Sequence, residues 1–112
     1  MDHAINLLSR LGPVTNLEGF YCLLTALELV DLQNIDTISF TKELYPQIAL
    51  RQGISQSAAE RSIRYFTEKC WNKGRRDLLC EICCVTSEPP TNAELIKSLG
   101  IYLHLKEKGL VE

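Results

Sequence analysis

The chain has 112 residues, a length that suits one domain and lets it bury roughly two-thirds of its unfolded surface. Hydrophobic residues at 46% and charged residues at 23% exclude a disordered tail, and the best apolar run, Phe20 to Leu27, is cut by Glu28 too early to span a bilayer. The net charge of −2 argues against a uniformly basic nucleic-acid binder, so such a function would have to rest on a local patch.

Apolar residues recur at helical spacing almost throughout, and no period-two strand stands out. Ala4, Ile5, Leu8 and Leu11 predict a short first helix, stopped by Gly12-Pro13. Asn16 is the expected cap of a longer helix through Phe20, Leu23, Leu24, Leu27 and Val30, buried over much of its circumference. Gln33, Asn34 and Asp36 make a polar connection. A third helical region spans about residues 39–52, with Pro46 either kinking it or opening a new helix in its first turn.

The fourth helix starts near Ser55 to Ser57, and Ser57 with Glu60 has the spacing of a capping box. At about 100° per residue, Ala59, Ile63, Phe66 and Cys70 form an apolar stripe. Ser57, Arg61, Arg64 and Glu68 lie opposite, with Glu60 and Tyr65 at the edges of that face. Gly74 is the expected C-cap. A fifth helix covers roughly residues 77–85, Ser87 to Pro90 form a loop, and Thr91 with Glu94 repeats the capping-box spacing. A last helix follows through Leu95, Ile96, Leu99, Leu103 and Leu105. The prediction is an all-α domain of about six helices, with residues 1–112 as a single unit.

Residues 45–64 within this series read as a helix-turn-helix. Two short helices joined by a glycine-containing turn are a recurrent way to present one helix to the major groove. Ala49 lets the helices approach, Gly53 suits the positive φ that the turn needs, and Ile48, Ile54 and Ala59 fill the angle between them. Charge agrees with this placement. From Arg51 to Arg76 seven basic residues face two glutamates, whereas the segments on either side are both acidic. A basic segment centred on a candidate recognition helix is the footprint of a DNA-binding face, although a solvated, salt-bridged helix has the same composition.

Other chemistry is poorly supported. Cys80, Cys83 and Cys84 would share one face of a continuous helix, but a zinc site would need a fourth ligand from Cys70, Cys22 or His104. The thiols are better read as small core residues, with a redox switch as the other alternative to zinc. Catalysis by a thiol would need a nearby base, and His3 and His104 lie near opposite ends of the chain. No phosphate loop or spaced carboxylate pair is present, so no enzyme, metal or cofactor is expected. Five cysteines and an acidic start without a secretory signal point to reduced thiols in the cytoplasm. Trp71 is expected to anchor the end of the recognition helix in the core, Tyr45 is a possible base-stacking residue, and the last helix is read as core before dimer seam.

Several segments together resemble a known family. Gly19-Phe20-Tyr21, Leu44-Tyr45-Pro46-Gln47-Ile48-Ala49, Glu60-Arg61-Ser62-Ile63-Arg64, Trp71-Asn72-Lys73-Gly74 and Pro90-Thr91-Asn92-Ala93-Glu94 resemble, in order, the C-terminal effector domains of stage-zero sporulation protein A. The resemblance covers nearly the whole chain. It implies a six-helix DNA-binding domain that usually follows a phosphoacceptor receiver domain in a response regulator of sporulation. It also implies binding to promoter boxes, often as tandem copies, and contact with the RNA polymerase sigma subunit; a homodimer on DNA is the alternative to tandem binding. Glu60, Arg61 and Arg64 match the family's recognition helix, and Lys73 falls where a basic residue is usual. Ala58 stands in place of an arginine that reads a base, a contact worth about 1–3 kcal/mol of discrimination. Tyr65 replaces an expected histidine, and the loop from Val85 to Pro90 is shorter than the family norm. With no receiver domain in the sequence, the chain is expected to be an excised effector domain or a stand-alone paralogue.

The function expected from these readings is sequence-specific binding of duplex DNA in transcription regulation. The recognition helix, about residues 56–73, would lie in the major groove. Ser57, Glu60, Arg61, Arg64 and Tyr65 would face the bases, and Lys42, Lys73, Arg75 and Arg76 would hold phosphates. The alternative is a degenerate helix-turn-helix that binds a regulator or polymerase subunit without reading bases.

Overall fold

The computed structural model describes residues 2–12 and 17–111; Pro13 and the expected cap Asn16 lie outside the described residues. Among the described residues there are six α-helices and no strand. They are α1 (Asp2–Leu11), α2 (Leu17–Leu29), α3 (Tyr45–Gln52), α4 (Gln56–Lys73), α5 (Arg76–Cys83) and α6 (Asn92–Glu107). None of these helices is long and apolar enough to cross a membrane. The all-α expectation holds.

α2 is the most apolar element, and Phe20, Cys22, Leu23, Ala26 and Leu27 are all buried against its neighbours. α4 crosses it and also packs on α3, α5 and α6. Its expected apolar stripe is real: Ala59, Ile63, Phe66 and Cys70 are buried, and Phe20 meets Phe66 edge-on at 6.5 Å. α6 supplies Leu95, Ile96 and Leu99 to the same core, while Leu103 and Leu105 are only half-buried. Each fully buried Leu or Ile side chain contributes about 1.5–3 kcal/mol over an exposed one, so the core is where this fold gains its stability.

The third helical region resolves the ambiguity at Pro46. A π-helical turn, Phe40–Leu44, runs directly into α3, and Pro46 lies in the first turn of that helix. The N–H groups of Leu44 and Tyr45 donate five residues back, to Ser39 and Phe40. A proline ring in an ordinary helix collides with the carbonyl four residues earlier. The wider turn moves that carbonyl aside, so the chain continues instead of breaking. The turn is itself capped, since Ser39 Oγ accepts the Lys42 N–H at 3.2 Å.

One cap expectation needs correction. Ser57 and Glu60 do not form a capping box. Ser55, extended at φ −76° and ψ 160°, is the N-cap, and its Oγ accepts the Ala58 N–H at 3.0 Å. The turn ends at Ser55, which places Ser57 inside the first helical turn. Ser55→Ala should therefore cost about 1 kcal/mol in a urea melt, and Ser57→Ala almost nothing; equal costs would count against this assignment. The box at Thr91 and Glu94 does form, with Thr91 Oγ1 and the Glu94 carboxylate each accepting the other's backbone N–H. The same contact holds the Glu94 carboxyl below the usual range.

α5 also departs from expectation. It spans Arg76–Cys83 and stops because Cys84 turns left-handed, at φ 56° and ψ 42°. Cys80, Cys83 and Cys84 therefore do not line one continuous helical face. Cys83 is buried beside Ser98, Cys80 is half-buried and Cys84 is exposed. Among the described residues no three His, Cys, Asp or Glu side chains group as a metal site would require.

Candidate nucleic-acid interface

The helix-turn-helix forms as its residues dictate. Gly53, at φ 68° and ψ 36°, ends α3 in the left-handed conformation that glycine adopts without strain. Its N–H and that of Ile54 both bond the Ala49 carbonyl. Ser55 then starts α4 at once. Ile48 and Ala59 fill the angle between the helices, with Ile54 packed at its edge.

Polar contacts fix α3 and α4 against the rest of the domain. Gln52 donates to Thr25 Oγ1 at 2.9 Å, and Arg51 pairs with Glu28 at 3.2 Å, both tying α3 to α2. Ser62 of α4 donates to the Glu18 carboxylate of α2. Asn92, the first residue of α6, donates to Tyr45 Oη at 3.2 Å and to the Glu60 carbonyl at 3.0 Å. Tyr45 is thus a buried packing residue and not a base-stacking one. Burial pushes its hydroxyl pKa up.

The five candidate base-reading residues lie on the outer side of α4. Ser57, Arg61 and Arg64 are exposed, Tyr65 is half-exposed, and Glu60 sits at the edge, half-buried. Arg61 makes no ion pair or hydrogen bond among the described residues, so its guanidinium is free to meet a ligand. Arg64 is paired with Glu60 one turn earlier on the same helix. An exposed pair of this kind is worth at most about 1 kcal/mol, little enough for a guanine edge to displace it.

The candidate phosphate residues differ more. Lys42, in the π-turn, and Lys73, at the end of α4, are both exposed. Arg75 is held by a two-bond contact with Asp77, both bonds at 3.0 Å, which keeps the Asp77 carboxyl below its usual range. Arg76 donates to the Trp71 carbonyl at 2.8 Å and lies 4.5 Å from the centre of the Trp71 ring. Trp71 is half-buried against the core, as expected, and carries Arg76 on its outer face.

Lys69 was missed by the sequence reading as an individual site residue. It lies with Tyr65, Glu68, Asn72 and Lys73 around one shallow depression. Its spacing, four residues after Tyr65 and four before Lys73, carried that signal. His3 and His104, far apart in sequence, both line a cavity of about 160 Å³ that no cysteine lines.

Over residues 4–103 the chain matches the family described as Sporulation initiation factor Spo0A C terminal.

Proposed function

Because the chain belongs to the Spo0A C-terminal family, a family of DNA-binding regulatory domains and not of enzymes, we propose that it reads duplex DNA through α4 lying in the major groove. One observation carries this reading. α4 buries one stripe completely and leaves Ser57, Arg61 and Arg64 on the outer stripe, directly after a turn of helix-turn-helix geometry. In such domains the N-terminal part of the second helix meets base edges. Arginine suits guanine and glutamate accepts from cytosine N4, so Arg61, Arg64 and Glu60 would specify base pairs. Ser57 and Tyr65 would complete the reading face. Lys42, Lys73, Arg75 and Arg76 would engage phosphates and fix the register.

We further infer that the domain acts in the cytoplasm, that copies occupy adjacent boxes on DNA, and that the polymerase sigma subunit is a protein partner. A second reading, a protein-binding module without base readout, draws on Ala58 and on the pairing of Arg64 with Glu60.

Selection from random duplexes followed by titration across a salt series tests both readings. Log K should fall by roughly 0.9 per phosphate contact per log unit of salt. Arg61→Ala should cost about 1–3 kcal/mol on the selected site and flatten selectivity at one base pair. Lys73→Ala should weaken all sequences about equally and lower the salt slope by about 1. An unselective pool from the unmodified domain would leave the protein-binding module as the better account.

A further inference from the structure

We propose that Asn92 is a positioning residue for the recognition helix, setting the rotation of α4 and so the selectivity of base reading. The inference rests on α4 being the helix that reads DNA.

Asn92 follows the N-cap of α6, where the cap itself is already complete. Thr91 and Glu94 satisfy each other's backbone N–H groups, so the Asn92 side chain is not needed to start the helix. It reaches out of α6 instead. Its amide nitrogen donates to Tyr45 Oη of α3 and to the backbone carbonyl of Glu60 in α4. A backbone carbonyl can only accept, so the atom facing Glu60 has to be the amide nitrogen. One side chain therefore ties together both helices of the helix-turn-helix.

The position of this contact around α4 gives it consequence. At about 100° per residue, Glu60 lies on one flank of the buried Ala59–Ile63–Phe66–Cys70 stripe. Ser62, which donates to Glu18 of α2, lies on the other. Apolar packing resists lifting α4 away from the core but resists rolling it only weakly, because such contacts have no direction. Two directional contacts on opposite flanks supply that resistance. A binding constellation must be held within about 10–20° of its productive orientation, and rolling α4 moves Ser57, Arg61 and Arg64 together.

Asn92→Ala should lower the ratio of affinities for the selected duplex and a scrambled duplex at least tenfold. Affinity for the scrambled duplex, and its salt slope, should hardly change, because no phosphate contact is removed. Thr91→Ala is the control, since it removes the cap of α6 without touching α4. If loss of stability alone explained the effect, Thr91→Ala would lower the ratio as much, and the proposal would be overturned. An unchanged ratio in Asn92→Ala would overturn it equally. Should Asn92→Ala not fold, Tyr45→Phe removes one of the two acceptors and should lower the ratio by a smaller factor; an unchanged ratio there also overturns the proposal. If the unmodified domain selects no sequence at all, the reading of α4 fails first and the proposal falls with it.

Discussion

Gly74→Ala should be among the most damaging single substitutions in this chain. A Cβ at this position would run into the Leu11 carbonyl oxygen and lie 2.8 Å from Gly12 Cα and 2.9 Å from Cys70 Cα. All three are backbone atoms, so no side chain can rotate away to make room. The backbone at Gly74 has φ −109°, which any residue can adopt, so the requirement is close approach and not conformation. The crowding would also push Leu11 away from Arg75, whose N–H donates to the Leu11 carbonyl at 2.7 Å. That bond fastens the end of α1 to the junction of α4 and α5. We expect a cost of about 3 kcal/mol, at the upper end for overpacking, with a fall in melting temperature of roughly 10–20 °C. Gly53→Ala makes the contrast. Nothing lies within 4 Å of its Cβ, so only the left-handed backbone is penalised, by about 1–2 kcal/mol. Equal costs at the two glycines in urea melts would contradict the packing explanation.

The second large effect is expected at high pH. Burial pushes the thiols of Cys22 and Cys83 up to about 11 and that of Cys70 up to about 12, from an ordinary value of 9.0. The neutral thiol is the form that the folded core accepts. Below pH 9 the thiols are protonated in both folded and unfolded chains, and stability owes nothing to their titration. Above pH 9 the unfolded chain loses these protons first, which favours unfolding; the loss continues until the folded values near 11–12 are reached. With three such groups, the domain should lose several kcal/mol, to order of magnitude, between pH 9 and 11. Cys70→Ala should make this decline shallower while lowering stability at pH 7 through lost packing. A decline of unchanged steepness in Cys70→Ala would show that other groups govern alkaline unfolding.

Much of this architecture was legible from periodicity and turn chemistry. The α4 stripe, the positive φ at Gly53, the start of α6 at Thr91 and the span of residues 56–73 all follow from local rules that tertiary context did not override. Illegible features were those decided across the fold. Whether Ser55 or Ser57 caps α4 depends on how many residues the turn consumes, and that is set by the packing of Ile48 and Ala59. The early end of α5 depends on Cys84 accepting a left-handed conformation, for which cysteine gives no signal.

The candidate site divides in the same way. Exposure of Ser57, Arg61 and Arg64 follows from their spacing. The partners that occupy Arg64, Arg75 and Arg76 were less visible, although the first two pair with nearby carboxylates. Tyr45 was a possible stacking residue by its aromatic ring alone. Its buried ring and its contact with Asn92, 47 residues away, are facts of topology.

The π-turn has a mechanical consequence. Because Phe40–Leu44 runs into Tyr45–Gln52 without a break, the thirteen residues behave as one stiff arm of roughly 19 Å. Lys42 sits near one end of that arm and the Gly53 turn at the other. Had Pro46 broken the chain, a force on Lys42 would have been absorbed by a flexible joint. As built, Lys42 and the Gly53 turn lie at the two ends of one unbroken helical segment.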